Sequence, residues 1–206
     1  MTGVAIPHEA APPAAVGHPP LEIPEFRIIS PVGLAISGVL LVLLIVAIAV
    51  NKLWPLTFFH VAGGAAWTIV DLFLGLILGP ILGRLSPQAR VEMTARLMPK
   101  MVILMPTVVT LTLASGWQLA SKTGTLLSSY PQHGWIVASF IVVGVMAVLA
   151  LGLLEPANIA VLFELKKRRP RPEVIEGLMK RFIYCAGILG LMQVATLVIM
   201  TKLASS

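Results

Sequence analysis

A single cysteine, Cys185, stands in a chain of 206 residues, so no internal disulfide can form. Charge is equally scarce. Asp, Glu, Lys and Arg make up 12% of the chain, against about 25% in soluble domains, which argues against an ordinary soluble domain. The sequence has no nucleophile elbow, no phosphate loop and no H-E-x-x-H, so a hydrolytic enzyme is not expected. It lacks the strict apolar–polar alternation of a membrane β-barrel. The N-terminus, MTGVAIPHEAAPPAAVGHPPLEIPEF, has no basic segment followed by an apolar core, so no cleavable signal peptide is expected. The net charge is +6. No folded soluble module accompanies it, and a nucleic-acid partner is not expected.

Long apolar runs, by contrast, are plentiful. Several exceed the roughly 18 residues that mark a membrane-spanning helix. Five spans are predicted, over 32–50, 56–82, 100–120, 135–163 and 182–203, separated by NKLWP, GRLSPQ, SKTGTLLSSYPQHG and KKRRPRPE. The expected fold class is all-α: a polytopic membrane protein with five transmembrane helices. Short connections imply that helices two to five form an antiparallel four-helix bundle with the first helix at its side. Residues 1–30 read as a Pro/Ala-rich cytoplasmic tail and 31–206 as the five-helix domain. Kinks are expected at Pro80, Pro106 and Pro156.

Orientation follows from Lys and Arg. Of the 15 such residues, Lys52, Lys122 and Lys202 fall on one side and all others on the opposite side. Basic loops stay cytoplasmic, which places the N-terminus inside and the C-terminus outside. Trp54, Trp117 and Trp135 all fall at the predicted outer boundary, where indole prefers the interface. The run KKRRPRP can touch anionic headgroups. The implied partners are the lipid bilayer and either other membrane proteins or further copies of the chain.

The stretch FFHVAGGAAWTIVDLF puts Asp71 near the middle of the second span, where a carboxylate costs roughly 2.5–3.5 kcal/mol. Such a group is tolerated when it faces protein. At about 100° per residue, His60, Gly64, Trp67, Asp71, Gly75, Gly79 and Gly83 share one stripe. Gly75, Gly79 and Gly83 give a doubled small-xxx-small pattern, a seam for close helix packing. Depth matching offers Gln193, Thr110 and Thr112 as partners for Asp71, with no Lys or Arg at that level. Two readings stay open. In one, a neutral Asp71 hydrogen-bonded to Gln193 or a Thr serves helix association. In the other, Asp71 is a working acid that relays protons or holds a cation, with Glu155, near the inner end of the fourth helix, continuing the route.

His60 lies about 16 Å outward of Asp71 at 1.5 Å per residue. Imidazole and thioether ligate copper or haem iron. His60, His133 and Met200 match in depth at the outer end and form a candidate metal or cofactor pocket, with space beside His60 at Gly63 and Gly64. Met98, Met101 and Met105 recur at helical spacing, as a copper ladder or as packing.

The segment HVAGGAAW carries an H-x6-W spacing, followed by LFLGLILGPIL, a basic loop and a helix ending LASGWQLA. Over helices two to five this resembles the CopD-like bacterial membrane proteins, which include copper-resistance permease domains, and more distantly the HemJ-type protoporphyrinogen oxidases. The resemblance implies a bacterial inner-membrane protein, with His60 as a ligand to copper or haem b. Three functions are thus expected as alternatives: copper or haem handling around His60, a non-catalytic subunit of a membrane complex, and a proton or cation carrier using Asp71 and Glu155.

The topology has a direct check. In a Cys185→Ala background, Lys122→Cys is expected to label with an impermeant maleimide from outside and Arg168→Cys from the cytoplasm. The reverse pattern contradicts the orientation.

Overall fold

A computed structural model describes residues 23–168 and 170–205. Most of the Pro/Ala-rich tail, residues 1–22, lies outside the described residues. Five helices are long and apolar enough to cross a membrane: α1 (Pro31–Val50), α2 (Leu53–Arg84), α3 (Pro87–Lys122), α4 (His133–Leu165) and α5 (Pro172–Ala204). No strand occurs among the described residues. These lengths and compositions fit a multi-pass membrane protein.

Local chemistry sets the helix ends. Ser30 caps α1 by accepting from the Gly33 backbone N–H at 3.3 Å, with Pro31 at the first helical positions. Asn51 closes α1 in the left-handed region, at φ 50°. Ser86 and Pro87 start α3 in the same manner as Ser30 and Pro31 start α1.

The helices are longer than the apolar runs. GRLSPQARVEMTARLMPK, expected as a loop, is mostly helix: α3 begins at Pro87 and α5 at Pro172, both ahead of their apolar stretches. Hydropathy marks only what lipid can cover, whereas charged residues continue a helix beyond it. Arg90 shows how the turn is held. Its Nε donates to Leu82 O at 3.1 Å and its Nη2 to Leu85 O at 3.3 Å, satisfying carbonyls at the end of α2. It also pairs with Glu176 of α5 at 3.3 Å.

The prolines act unevenly. Residues Phe73–Leu78 of α2 and Ala150–Leu154 of α4 are π-helical, and each segment ends two residues before a proline, Pro80 or Pro156. Proline has no N–H and pushes against the carbonyl four residues earlier; a widened turn absorbs that misfit. No π-helical turn accompanies Pro106: α3 is assigned α-helical through both Pro99 and Pro106.

Side by side, α2 lies against α3 and α5, α4 lies against α5 and meets α3 with its inner half, and α1 rests on α3 and the edge of α2. The shared core contains Trp67, Met98, Met101, Met105, Met146, Phe182 and Leu189. The three methionines of α3 are thus buried among apolar neighbours.

The glycine seam is real at two of its three expected positions. A Cβ on Gly75 would lie 2.6 Å from Gly187 Cα, so α2 and α5 touch backbone to backbone. A Cβ on Gly79 would lie 2.5 Å from Ile183 Cγ2. Gly83 does not take part; nothing would come within 4 Å of its Cβ. Four-residue steps drift by about 40° each, and the end of the row turns off the contact.

The end of the N-terminal segment is not free. Ile23, Phe26 and Ile28 pack on the core. Lys166 Nζ donates to Phe26 O at 2.8 Å and stands 4.7 Å from the Phe26 ring centre. This segment and the α4–α5 loop therefore share one end of the molecule. Trp54, Trp117 and Trp135 are exposed at the opposite ends of their helices, with Trp117 edge-on to Phe140 at 5.6 Å.

Candidate functional site: a buried carboxyl between α2 and α5

Asp71 is 0% exposed. Its place follows from the seam: one turn inward Gly75 meets Gly187, and a Cβ on Gly190 would stand 3.5 Å from the Asp71 carbonyl oxygen. Side chains smaller than alanine on both helices bring α5 over the Asp71 turn. Trp67 of α2 and Gln193 of α5 approach the carboxyl as donors, yet no hydrogen bond of ordinary geometry closes between either of them and Asp71. Both Asp71 oxygens, Trp67 Nε1 and Gln193 Nε2 are buried without a partner. A buried polar group left unpaired costs about 1–3 kcal/mol. The cluster is therefore an acceptor pair facing two donors, with its bonding incomplete.

Thr68 completes the site. Its hydroxyl lies 2.8 Å from Gly64 O and 3.0 Å from Gln193 Oε1. Of the partners expected for Asp71, Gln193 is there and the α3 threonines are not. Thr110 is exposed and donates to Pro106 O at 2.7 Å, while Thr112 donates to Val108 O at 2.8 Å. Each hydroxyl is used up on its own helix, the usual habit of Thr within helices. Thr68 was not legible as a partner, although its place three residues before Asp71 puts it on the neighbouring part of the helix.

The packing of α4 on α5 places Glu155 relative to Asp71. Thr196 Oγ1 meets Met146 Sδ at 3.5 Å, which sets the α4–α5 register. Counting inward along both antiparallel helices brings Glu155 level with Gly187, which touches Gly75. Glu155 therefore lies about one turn, roughly 6 Å, inward of Asp71. Its Oε1 is buried without a partner, as are both side-chain polar atoms of Asn158 one turn on. The π-helical turns adjoin both carboxyls: one begins two residues after Asp71, and the other ends immediately before Glu155.

His60 leaves the expected stripe. Its Nδ1 is 3.0 Å from Thr112 O, and a Cβ on Gly116 would come 2.6 Å from the same nitrogen. His60 therefore faces α3, not the α5 seam. A carbonyl only accepts, so Nδ1 carries the hydrogen and, in the neutral ring, Nε2 keeps its lone pair. The space attributed to Gly63 is filled: a Cβ there would lie 2.8 Å from Thr112 Oγ1. His133 opens α4 with Nδ1 buried and unpartnered, and Met200 is half-buried on the outer end of α5. Among the described residues neither side chain shares a hydrogen bond with His60. Among the described residues there is no group of three or more His, Cys, Asp or Glu placed to hold a metal ion.

No family model, curated protein or solved structure matches the chain. The chemistry of the site rests on the residues themselves.

Proposed function

We propose that the chain is an integral protein of the cell membrane, N-terminus inside, in which α2 to α5 form an antiparallel four-helix bundle flanked by α1, and that it carries protons or small cations through Asp71. One observation carries this reading: a fully buried carboxyl, midway along a span, with both oxygens unpartnered. An ionisable side chain at that depth is rare and characteristically marks a proton or ion path. Glu155, about one turn inward, is the second station, and the basic inner end forms the cytoplasmic mouth.

Reconstituted vesicles with an internal pH dye test it. Under an imposed potential, the wild-type chain is expected to acidify or alkalinise the lumen well above the rate of empty vesicles. Asp71→Asn should fall to that background while keeping the fold, and Asp71→Glu should retain part of the flux. Wild-type flux at the empty-vesicle rate overturns the reading.

A second reading draws on His60. The Nδ1–Thr112 bond is the kind of anchor that orients a ligating imidazole and leaves Nε2 for a metal. His60 fits haem b or copper as a single ligand, with Met200 or His133 as the expected second, and bound haem would supply redox chemistry. Haem and copper content of protein purified from supplemented cells should be near stoichiometric in wild type and lost in His60→Ala. Equal content in both removes His60 as the ligand.

A further inference from the structure

We infer that the Thr68–Gln193–Asp71 cluster takes a proton rather than a metal cation, and that the Gln193 amide turns over as the proton arrives. This rests on the reading of Asp71 as a working acid and names what that acid binds. The hydrogens decide it. The Thr68 hydroxyl has one hydrogen and two acceptors, Gly64 O at 2.8 Å and Gln193 Oε1 at 3.0 Å. One of these contacts is therefore short of a proton. The amide nitrogen of Gln193, meanwhile, is buried without any acceptor.

Amide oxygen and nitrogen are told apart only by their bonding network. Turning the amide over gives its nitrogen an acceptor and resolves the Thr68 contact. Nε2 then donates to Thr68 Oγ1, and Thr68 donates to Gly64 O. Gln193 Oε1 now faces Asp71, and two oxygens can meet there only if the carboxyl is protonated and donates. The opposite orientation suits the carboxylate, toward which Gln193 Nε2 and Trp67 Nε1 are turned without closing their bonds, while Thr68 keeps Gly64 O alone. Two proton states of Asp71 thus select two orientations of Gln193. The step adds one H⁺ to one carboxylate oxygen and moves no electrons.

A metal cation suits the cluster poorly. Calcium takes six to eight oxygens and magnesium six, whereas the carboxyl here faces N–H donors of Trp67 and Gln193. A proton needs a single oxygen on each side. The surroundings add little charge. The other titratable groups in the apolar stretches packed around this turn are Glu155 on α4 and Tyr184 and Cys185 on α5; α1 has none, and α3 has none between Lys100 and Lys122.

Infrared difference spectra of the protein in nanodiscs, taken across a pH titration, test the inference. A protonated-carboxyl C=O band is expected in wild type and lost in Asp71→Asn. In Gln193→Leu, and in Gln193→Met as a second variant of similar length, the band should move to higher frequency as it loses its acceptor. Thr68→Val should shift the titration midpoint. Sodium, potassium, magnesium and calcium should leave that midpoint where it is. A band that is missing, unmoved by both Gln193 variants, or displaced by any of these cations overturns the inference. The vesicle assay reads separately. Absent flux with the expected spectra removes the carrier and keeps the proton site, and flux with an unmoved band removes the proton site alone.

Discussion

Backbone contact between Gly75 and Gly187 is the constraint on which the rest of the structure depends. Helices bearing side chains at such positions keep their axes about 8–10 Å apart. Here a single added Cβ would sit 2.6 Å from the opposing Cα. The close crossing draws α5 across the turn above, so Gly190 lies over the Asp71 backbone and Gln193 reaches the Asp71 carboxyl. Within lipid, helix association comes from van der Waals contact and interhelical hydrogen bonds, with no hydrophobic drive between helices. The glycines supply the first and Gln193, bonded to Thr68, the second.

A second close contact works on the other side of α2. Gly63 admits Thr112, and Gly116 admits the His60 ring. The same helix therefore presents its histidine to α3 and its aspartate to α5. The two lie about three turns apart and belong to different interfaces. The π-helical turns next to Asp71 and Glu155 add one feature to both spans: each widens the helix beside a carboxyl and ahead of a proline. Irregular turns of this sort loosen the local hydrogen-bond ladder and recur at working sites.

Much of this was legible in the sequence, and the failures have physical causes. Apolar length alone located all five long helices, because a lone apolar segment can satisfy its own backbone in lipid only as a helix. The spacing of Gly75 and Gly79 and the depth of Gln193 led to the seam and to a partner for Asp71. The answering glycines, Gly187 and Gly190, were missed, although their small-xx-small spacing on α5 was open to inspection. The single stripe from His60 to Gly83 failed because a long helix drifts relative to a four-residue repeat. The α3 threonines failed as partners because a helical hydroxyl finds its own carbonyl four residues back before it finds another helix. The starts of α3 and α5 failed by ten residues or more, since charged turns are invisible to hydropathy.

The central claim is that the Gly75–Gly187 contact holds α2 and α5 together around Asp71, and paired alanine substitutions test it most directly. Equilibrium unfolding in mild detergent should show Gly75→Ala destabilised by about 1–3 kcal/mol, the usual cost of overpacking. Gly83→Ala, whose Cβ meets nothing within 4 Å, should be neutral or slightly more stable. Equal effects at the two positions, or a stable Gly75→Ala, would contradict the account.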